Sequence, residues 1–296
     1  MRTIDIQSTN YYELIKKYES EGKAIAHFNI SNLDQLRAIC DAAVELGEPV
    51  IIGASEGERE YIGVKMVRSI VNQMKSEYNV PIYLNADHTY TLERVIEVVE
   101  AGYDSVIVDG AKLPYEENVA LVRSAVEYVR KYEAATGKRV LVEAELGYIG
   151  QSSSLNESLP EGVAEENLTT DDMARDFVHS TGIDLFAPAV GNVHGMLINA
   201  DEPKLHTERI KSIRDASGVP LVLHGASGNT DSDIKASIDN GISIVHINTE
   251  IRKAFTDGIR DYIVANPKEI APYKYGKVGQ AEMKKVVTAK MELYRQ

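Results

Sequence analysis

Three histidines in this chain stand where short apolar runs give way to polar residues: His88 in "NADH", His194 in "GNVHG" and His224 in "LVLHG". Carboxylates occupy comparable positions, with Asp87 directly before His88, Asp109 closing "SVIVDG", and Glu143 and Glu145 within "VEAELG". Neutral imidazoles suit zinc, and catalytic zinc sites typically use three protein ligands and keep one position open. A carboxylate next to a ligand sits within proton-transfer reach of whatever the metal holds. Any one of these histidines alone would more often be a hydrogen-bonded core residue. Three of them ending separate strands point instead to one shared ion. The remaining four provide a contrast. His179 and His206 fall in helical or loop contexts and read as surface residues, His27 reads as packed inside a strand, and His246 lies in the last strand, where it could face the same mouth.

Glycines beside the histidines suggest a second function. "HGASG" (224–228) and "INTE" (247–250) carry bare backbone and small hydroxyl side chains, Ser227 and Thr249. Backbone N–H groups free of side-chain crowding, close to a helix N-terminus, make an anion nest. A tight turn would use the same glycines. Because both stretches follow apolar strands, a phosphate next to the metal is the stronger reading.

The elements that must position these groups recur with one rhythm. Eight β-branched runs, at 24–30, 49–55, 81–87, 105–110, 139–145, 184–191, 220–225 and 243–248, alternate with amphipathic helical segments such as "NLDQLRAICDAAVEL" and "TLERVIEVVEAG". Gly47, Gly102, Gly137, Gly182, Gly218 and Gly241 sit where those helices would end, as C-caps do. Strands that are apolar throughout, alternating with helices, imply a covered parallel sheet. Eight such units predict a (β/α)8 TIM barrel of the α/β class, with a doubly wound open sheet second. In a barrel the polar strand ends share one mouth. The stretch 150–172, rich in Ser, Glu, Gly and Asn, breaks the rhythm after the fifth strand and reads as a mobile active-site loop around 150–170. No domain boundary or repeat is evident, so residues 1–296 read as one barrel domain with a helical extension from about 267.

Composition narrows the partners. The 296 residues are 44% hydrophobic and 26% charged, with a net charge of −13. That acidity argues against nucleic acid and anionic membranes, so any anionic ligand must meet local positive charge. One cysteine, Cys40, precludes an intrachain disulfide framework and suits a reducing compartment. No run of 18 apolar residues and no signal-peptide core is present, so the protein reads as soluble and cytoplasmic.

The stretches "NADH" (85–88), "VEAELG" (142–147), "GNVHG" (191–195), "LVLHGASG" (221–228) and "NTE" (248–250) together resemble the metal-dependent, class II fructose-bisphosphate and tagatose-bisphosphate aldolases. The likeness runs from about Gly22 to the C-terminal helix. It implies that His88, His194 and His224 hold zinc, one ion per subunit, with Glu145 close enough to approach it. Asp87 would be the acid/base acting on the substrate C4 hydroxyl, with Asp109 and Glu143 in the surrounding shell. Asn29 and Ser55 match substrate contacts, while Gly195, Gly225, Ser227, Asn248 and Thr249 match a phosphate cradle. A monovalent cation, Na+ or K+, would lie near the backbone of Val193, Gly195 and Gly225. Lys277 in "GKVGQ" stands where the family often has an arginine reaching the far phosphate of a neighbouring subunit's substrate, which keeps the charge and loses the bidentate fork.

The resemblance implies cleavage of fructose 1,6-bisphosphate to dihydroxyacetone phosphate and glyceraldehyde 3-phosphate through a zinc-stabilised enediolate, in a homodimer or homotetramer. Tagatose 1,6-bisphosphate is the alternative ketose. A sugar-phosphate epimerase or a non-catalytic subunit on the same barrel are further alternatives. Two departures stand out. The family's lysine and asparagine before "NTE" are here Ile244 and His246, and the loop lacks a Gly-Gly-Glu-Glu run, offering Glu157, Glu161, Glu165 and Glu166.

Overall fold

The computed structural model describes residues 10–150, 153–159, 168–198 and 202–296. In chain order the strands are β1 (Ile25–Asn29), β2 (Val50–Ala54), β3 (Ile82–Thr89), β4 (Ser105–Val108), β5 (Leu141–Leu146), β6 (Leu155–Asn156), β7 (Leu185–Pro188), β8 (Met196–Leu197), β9 (Leu221–Leu223) and β10 (Ile242–Ile247). Eight of them, all but β6 and β8, pair in parallel and close in the order β1-β10-β9-β7-β5-β4-β3-β2, a (β/α)8 barrel as the eightfold rhythm predicts. The helices are α1 (Tyr11–Ser20), α2 (Leu33–Leu46), α3 (Glu56–Ile62), α4 (Val64–Glu77), α5 (Leu92–Glu100), α6 (Tyr115–Thr136), α7 (Asp171–Thr181), α8 (Thr207–Ser217), α9 (Asp231–Asp239), α10 (Thr249–Ala265) and α11 (Pro272–Tyr294).

Alternation along the strands builds the interior in layers, because residues two apart share a face. Ile25, Ile51, Tyr83, Leu141, Leu185, Val222 and Ile244 form an apolar floor, packed against Tyr11, Leu14 and Ile15 of α1. Tyr11 stacks on Tyr83 with ring centres 4.0 Å apart, so α1 closes the barrel's N-terminal end. Two residues further along most of these strands the interior turns polar, with His27, Asn85, Glu143, His224 and His246, while β2 carries Gly53 and β7 carries Ala187. The opposite strand faces carry the larger core, in which Phe28, Leu84, Val106, Val142, Phe186 and Val245 meet the helices.

The glycine stops hold with one refinement. Gly47, Gly137, Gly182 and Gly218 are left-handed C-caps, with φ between 68° and 72°. Gly102 and Gly241 also take positive φ but fall one residue past the caps Ala101 and Asn240. The expectation that 150–172 is free of strand is corrected: Leu155 and Asn156 pair in parallel with Met196 and Leu197, tying this loop to the one after β7. Most of the rest of that loop lies outside the described residues, and so does the question of its mobility. From 267 the chain runs into α11, which packs on α2 and α10.

Candidate active site

The end of β3 is built to aim two successive side chains into one mouth. Consecutive strand residues normally point to opposite faces. Here the β3–β4 register shifts between Ala86 and Thr89, and His88 takes φ +41°, the one non-glycine residue with positive φ among the described residues. A strained bulge of this kind persists only when its surroundings hold it. Arg59, nearly fully buried, supplies that hold. Its guanidinium donates to the Asp87 carbonyl (2.9 Å), to Thr89 Oγ1 (3.1 Å), to the His88 carbonyl (3.4 Å) and to the Ala54 carbonyl.

Each of the three histidines predicted as ligands has one nitrogen fixed by an outer partner and a second turned toward the cluster. His88 Nδ1 pairs with Asp109 Oδ2 at 2.8 Å, and His194 Nδ1 pairs with the Gly150 carbonyl at 3.0 Å. His224 is oriented from its other side: Nε2 meets Glu143 Oε1 at 2.7 Å, which turns Nδ1 toward Glu145 Oε2 at 3.2 Å. Such outer partners set which nitrogen binds and raise its basicity. Ligand atoms of His88, Glu145, His194 and His224 lie within 4.8 Å of one another. The ring spacing tests the fit. Metal–imidazole bonds of about 2.0–2.1 Å at tetrahedral angles put ring centres about 5.2 Å apart. The observed separations are 4.8, 5.1 and 5.9 Å. The set can hold one divalent ion.

The charges agree with a site built for a cation. Burial opposes a proton on His88, but the Asp87 carboxylate, helped by Asp109, raises its pKa to about 9. Burial likewise opposes charge on His224, and its bonds to Glu143 and Glu145 carry it well above the ordinary imidazole value. His194, buried beside those two rings, falls to about 3. Burial also works against the Asp87 carboxylate, yet His88, His246 and His27 together outweigh it and hold the group well below the usual range. Asp87 is therefore ionised at neutral pH. Its Oδ2 accepts from Asn29 Nδ2 at 2.8 Å, and the same amide nitrogen donates to Glu58 Oε2 at 2.9 Å.

A second group of donors, His27, Asp87 and His246, is equally tight but does not suit a single ion. The His27 and His246 rings stack face to face, 3.5 Å between centres and 2° from parallel. Lone pairs lie in the ring planes, and parallel planes do not meet, so one cation cannot lie on a lone pair of both.

Above the metal cluster the loops after β7 and β9 touch the start of α10. Asn29, Asp87, His88, Ser153, His194, Gly195, Gly225, Ser227, His246, Asn248 and Thr249 line one pocket. Gly225 has φ +57°, and a Cβ there would meet the Val193 carbonyl oxygen at 2.5 Å, so only glycine allows the two loops this approach. α10 begins with no side-chain cap, and its N-terminal N–H groups and positive dipole end face this pocket, the setting that binds phosphate.

The class II fructose-bisphosphate aldolase family model matches residues 9–296. The chain belongs to this family. It is 36% identical over 274 residues to the D-tagatose-1,6-bisphosphate aldolase subunit GatY of Klebsiella oxytoca, covering 93% of each chain. Among solved structures it resembles the YdjI aldolase of Escherichia coli K12, with 29% identity, a TM-score of 0.81 and 97% of each chain covered. It also resembles a putative fructose-1,6-biphosphate aldolase of Coccidioides immitis, with 27% identity, a TM-score of 0.82 and 97% and 96% coverage.

Within this aldolase frame, the structure brings most of the expected residues together. Two stand apart. Ser55 caps α3, accepting from the Glu58 N–H while Glu58 reaches back to the Ser55 N–H, and it does not line the pocket. Lys277 is exposed on α11, also outside the lining. Glu157 is exposed beside β6, while Glu161, Glu165 and Glu166 lie outside the described residues. His27 is packed as expected, though in the interior and against an imidazole, and His246 does face the mouth. Sequence reasoning passed over Glu58, Arg59 and Ser153. The Ser55-x-x-Glu58 spacing is a capping-box signature that marks Glu58; nothing in the sequence marks Arg59.

Proposed function

We propose that the chain is a zinc-dependent aldolase that reversibly cleaves fructose 1,6-bisphosphate to dihydroxyacetone phosphate and glyceraldehyde 3-phosphate. The observation that supports this most is the cluster of His88, His194 and His224 with ionised Asp87 at its edge. A zinc ion held by those imidazoles would polarise the ketose carbonyl and stabilise the negative charge that develops when the C3–C4 bond breaks. Asp87 takes the proton of the C4 hydroxyl, and Asn29 keeps its carboxylate turned toward that hydroxyl. The nest of Gly195, Gly225, Ser227, Asn248 and Thr249 binds one phosphate and fixes the register of the carbon chain, turning binding energy into orientation. No lysine is among the described residues lining the pocket, which suits a route without a Schiff base.

The similarity to a tagatose-bisphosphate aldolase subunit favours a second substrate, the C4 epimer tagatose 1,6-bisphosphate, which yields the same two trioses. A homo-oligomer belongs to the same reading, because Lys277 lies outside its own pocket and would reach a phosphate only in a neighbouring copy. A coupled triose phosphate assay tests the proposal. Chelation abolishes release of triose phosphate and zinc restores it, and Asp87→Ala keeps its zinc while losing about 10²–10⁴ in kcat. Full activity after complete metal removal, or epimer interconversion with no triose released, would overturn it.

A further inference from the structure

His246 lies outside the His88, Glu145, His194 and His224 cluster. It lines the pocket between Asp87 and the phosphate nest, its Nδ1 faces Asp87 Oδ1 across 3.7 Å, and its buried Nε2 has no hydrogen-bond partner in the protein. At 3.7 Å a nitrogen and a carboxylate oxygen are too far apart to hydrogen-bond directly, which leaves both able to grip one small polar group. The ring itself is not free to turn. His27, directly opposite on β1 in the β1–β10 register, lies flat against one side, 3.5 Å away, and His224 stacks beside it at 4.4 Å.

His27 is there only because β2 makes room. A Cβ at Gly53 would sit 2.2 Å from His27 Cε1 and 2.7 Å from Nε2, so any other residue at 53 would displace the ring. Both nitrogens of His27 are buried without a partner. Leaving two such groups unpaired is costly in a core. A flat, rigid backing for His246 is what that arrangement provides.

We propose that His246, held flat by His27 in the space left at Gly53, is the specificity-determining residue that reads the configuration of the hydroxyl on the carbon Asp87 deprotonates. This rests on the aldolase reading and deepens it. The hydroxyl approaches Asp87 Oδ1, and only one configuration at C4 brings it within reach of His246 Nδ1 as well. His27 acts through His246 and is a positioning residue. A hydrogen bond made with one epimer and lost with the other is the kind of difference by which sites separate close analogues.

The experiment compares fructose 1,6-bisphosphate with tagatose 1,6-bisphosphate, which differ at C4. kcat/KM is measured for each by triose release, and Kd for each by calorimetry on the zinc-loaded protein. The wild type is expected to favour one epimer by tenfold or more. His246→Asn, which shortens the reach, should shift the kcat/KM ratio at least tenfold with zinc content unchanged. His27→Ala should shift the same ratio, and His27→Phe, which restores a flat ring without nitrogens, should recover it. A merely structural role would depress both epimers equally. The proposal is overturned if the wild type favours one epimer by less than tenfold, or if His246→Asn moves the ratio by less than tenfold. Cleavage of neither epimer by the wild type would end the aldolase reading, and the Kd ratio of wild type against His246→Asn would then decide this one. Binding of neither epimer would overturn both.

Discussion

At the scale of single residues, the site is a set of imidazoles whose outer nitrogens decide what the inner ones do. Asp109 is the clearest lever, because it holds His88 Nδ1 at 2.8 Å and is itself held by the Ala111 N–H at 3.0 Å. Asp109→Ala should weaken zinc binding about 10–100-fold, as removal of such partners typically does. A competition titration against a chromogenic chelator measures this, and an unchanged affinity would show that His88 needs no orienting group. Protons compete for the same nitrogens. With its pKa raised to about 9, His88 carries a proton at neutral pH in the metal-free protein, and a zinc ion held there would have to displace it. Zinc affinity should therefore rise with pH, about tenfold per unit for each proton displaced, and level off for this group above about 9. A flat affinity between pH 6 and 8 would contradict it.

At the scale of elements, the eight strands were legible, because parallel strands buried on both sides read as uninterrupted apolar runs, and so were His88 and His224 at their ends. His194, expected to end a strand, lies instead in the loop six residues past β7. The β3 bulge was not legible. "NADH" contains nothing that marks a register shift. The shift is fixed by Arg59, which arrives from α3, nearly thirty residues upstream. The short β6–β8 ladder was equally silent, since two-residue strands carry no period to detect. Ser55 shows how an element can reassign a residue. Resemblance makes it a substrate contact, and the structure makes it half of a capping box that also steadies Glu58, and through Glu58 the amide of Asn29. Ser55→Ala should cost about 1 kcal/mol of stability in urea unfolding, the usual loss at a cap, together with a fall in kcat. A raised KM with stability untouched would return Ser55 to a purely ligand-facing role.

At the scale of the whole molecule, the barrel interior is divided by depth. An apolar floor sealed by α1 lies beneath a polar layer, and the reacting groups lie above that. Mutations should separate in the same way. Tyr11→Ala removes a buried ring stacked on Tyr83 and should destabilise the fold by about 3 kcal/mol while leaving kcat within twofold. A large loss of kcat at an unchanged melting temperature would show that the lower seal communicates with the mouth. The layering was not read from the sequence, where these strands pass as apolar throughout, although Ile25, Ile51 and Ile244 alternate with His27, Gly53 and His246 along them. What a linear text withholds is that β1, β2 and β10 are neighbours, so that a bare position on one strand is filled by a ring from the next.

The kink at Asp87 and His88 has a consequence for anyone reshaping this catalyst. The carboxylate proposed as the base and the imidazole proposed as a metal ligand are carried by adjoining α-carbons, joined by one rigid amide plane. Neither can be relocated without dragging the other along. Retuning the geometry around the proposed ion would therefore begin at the segments bearing His194 and His224, which are covalently independent of Asp87.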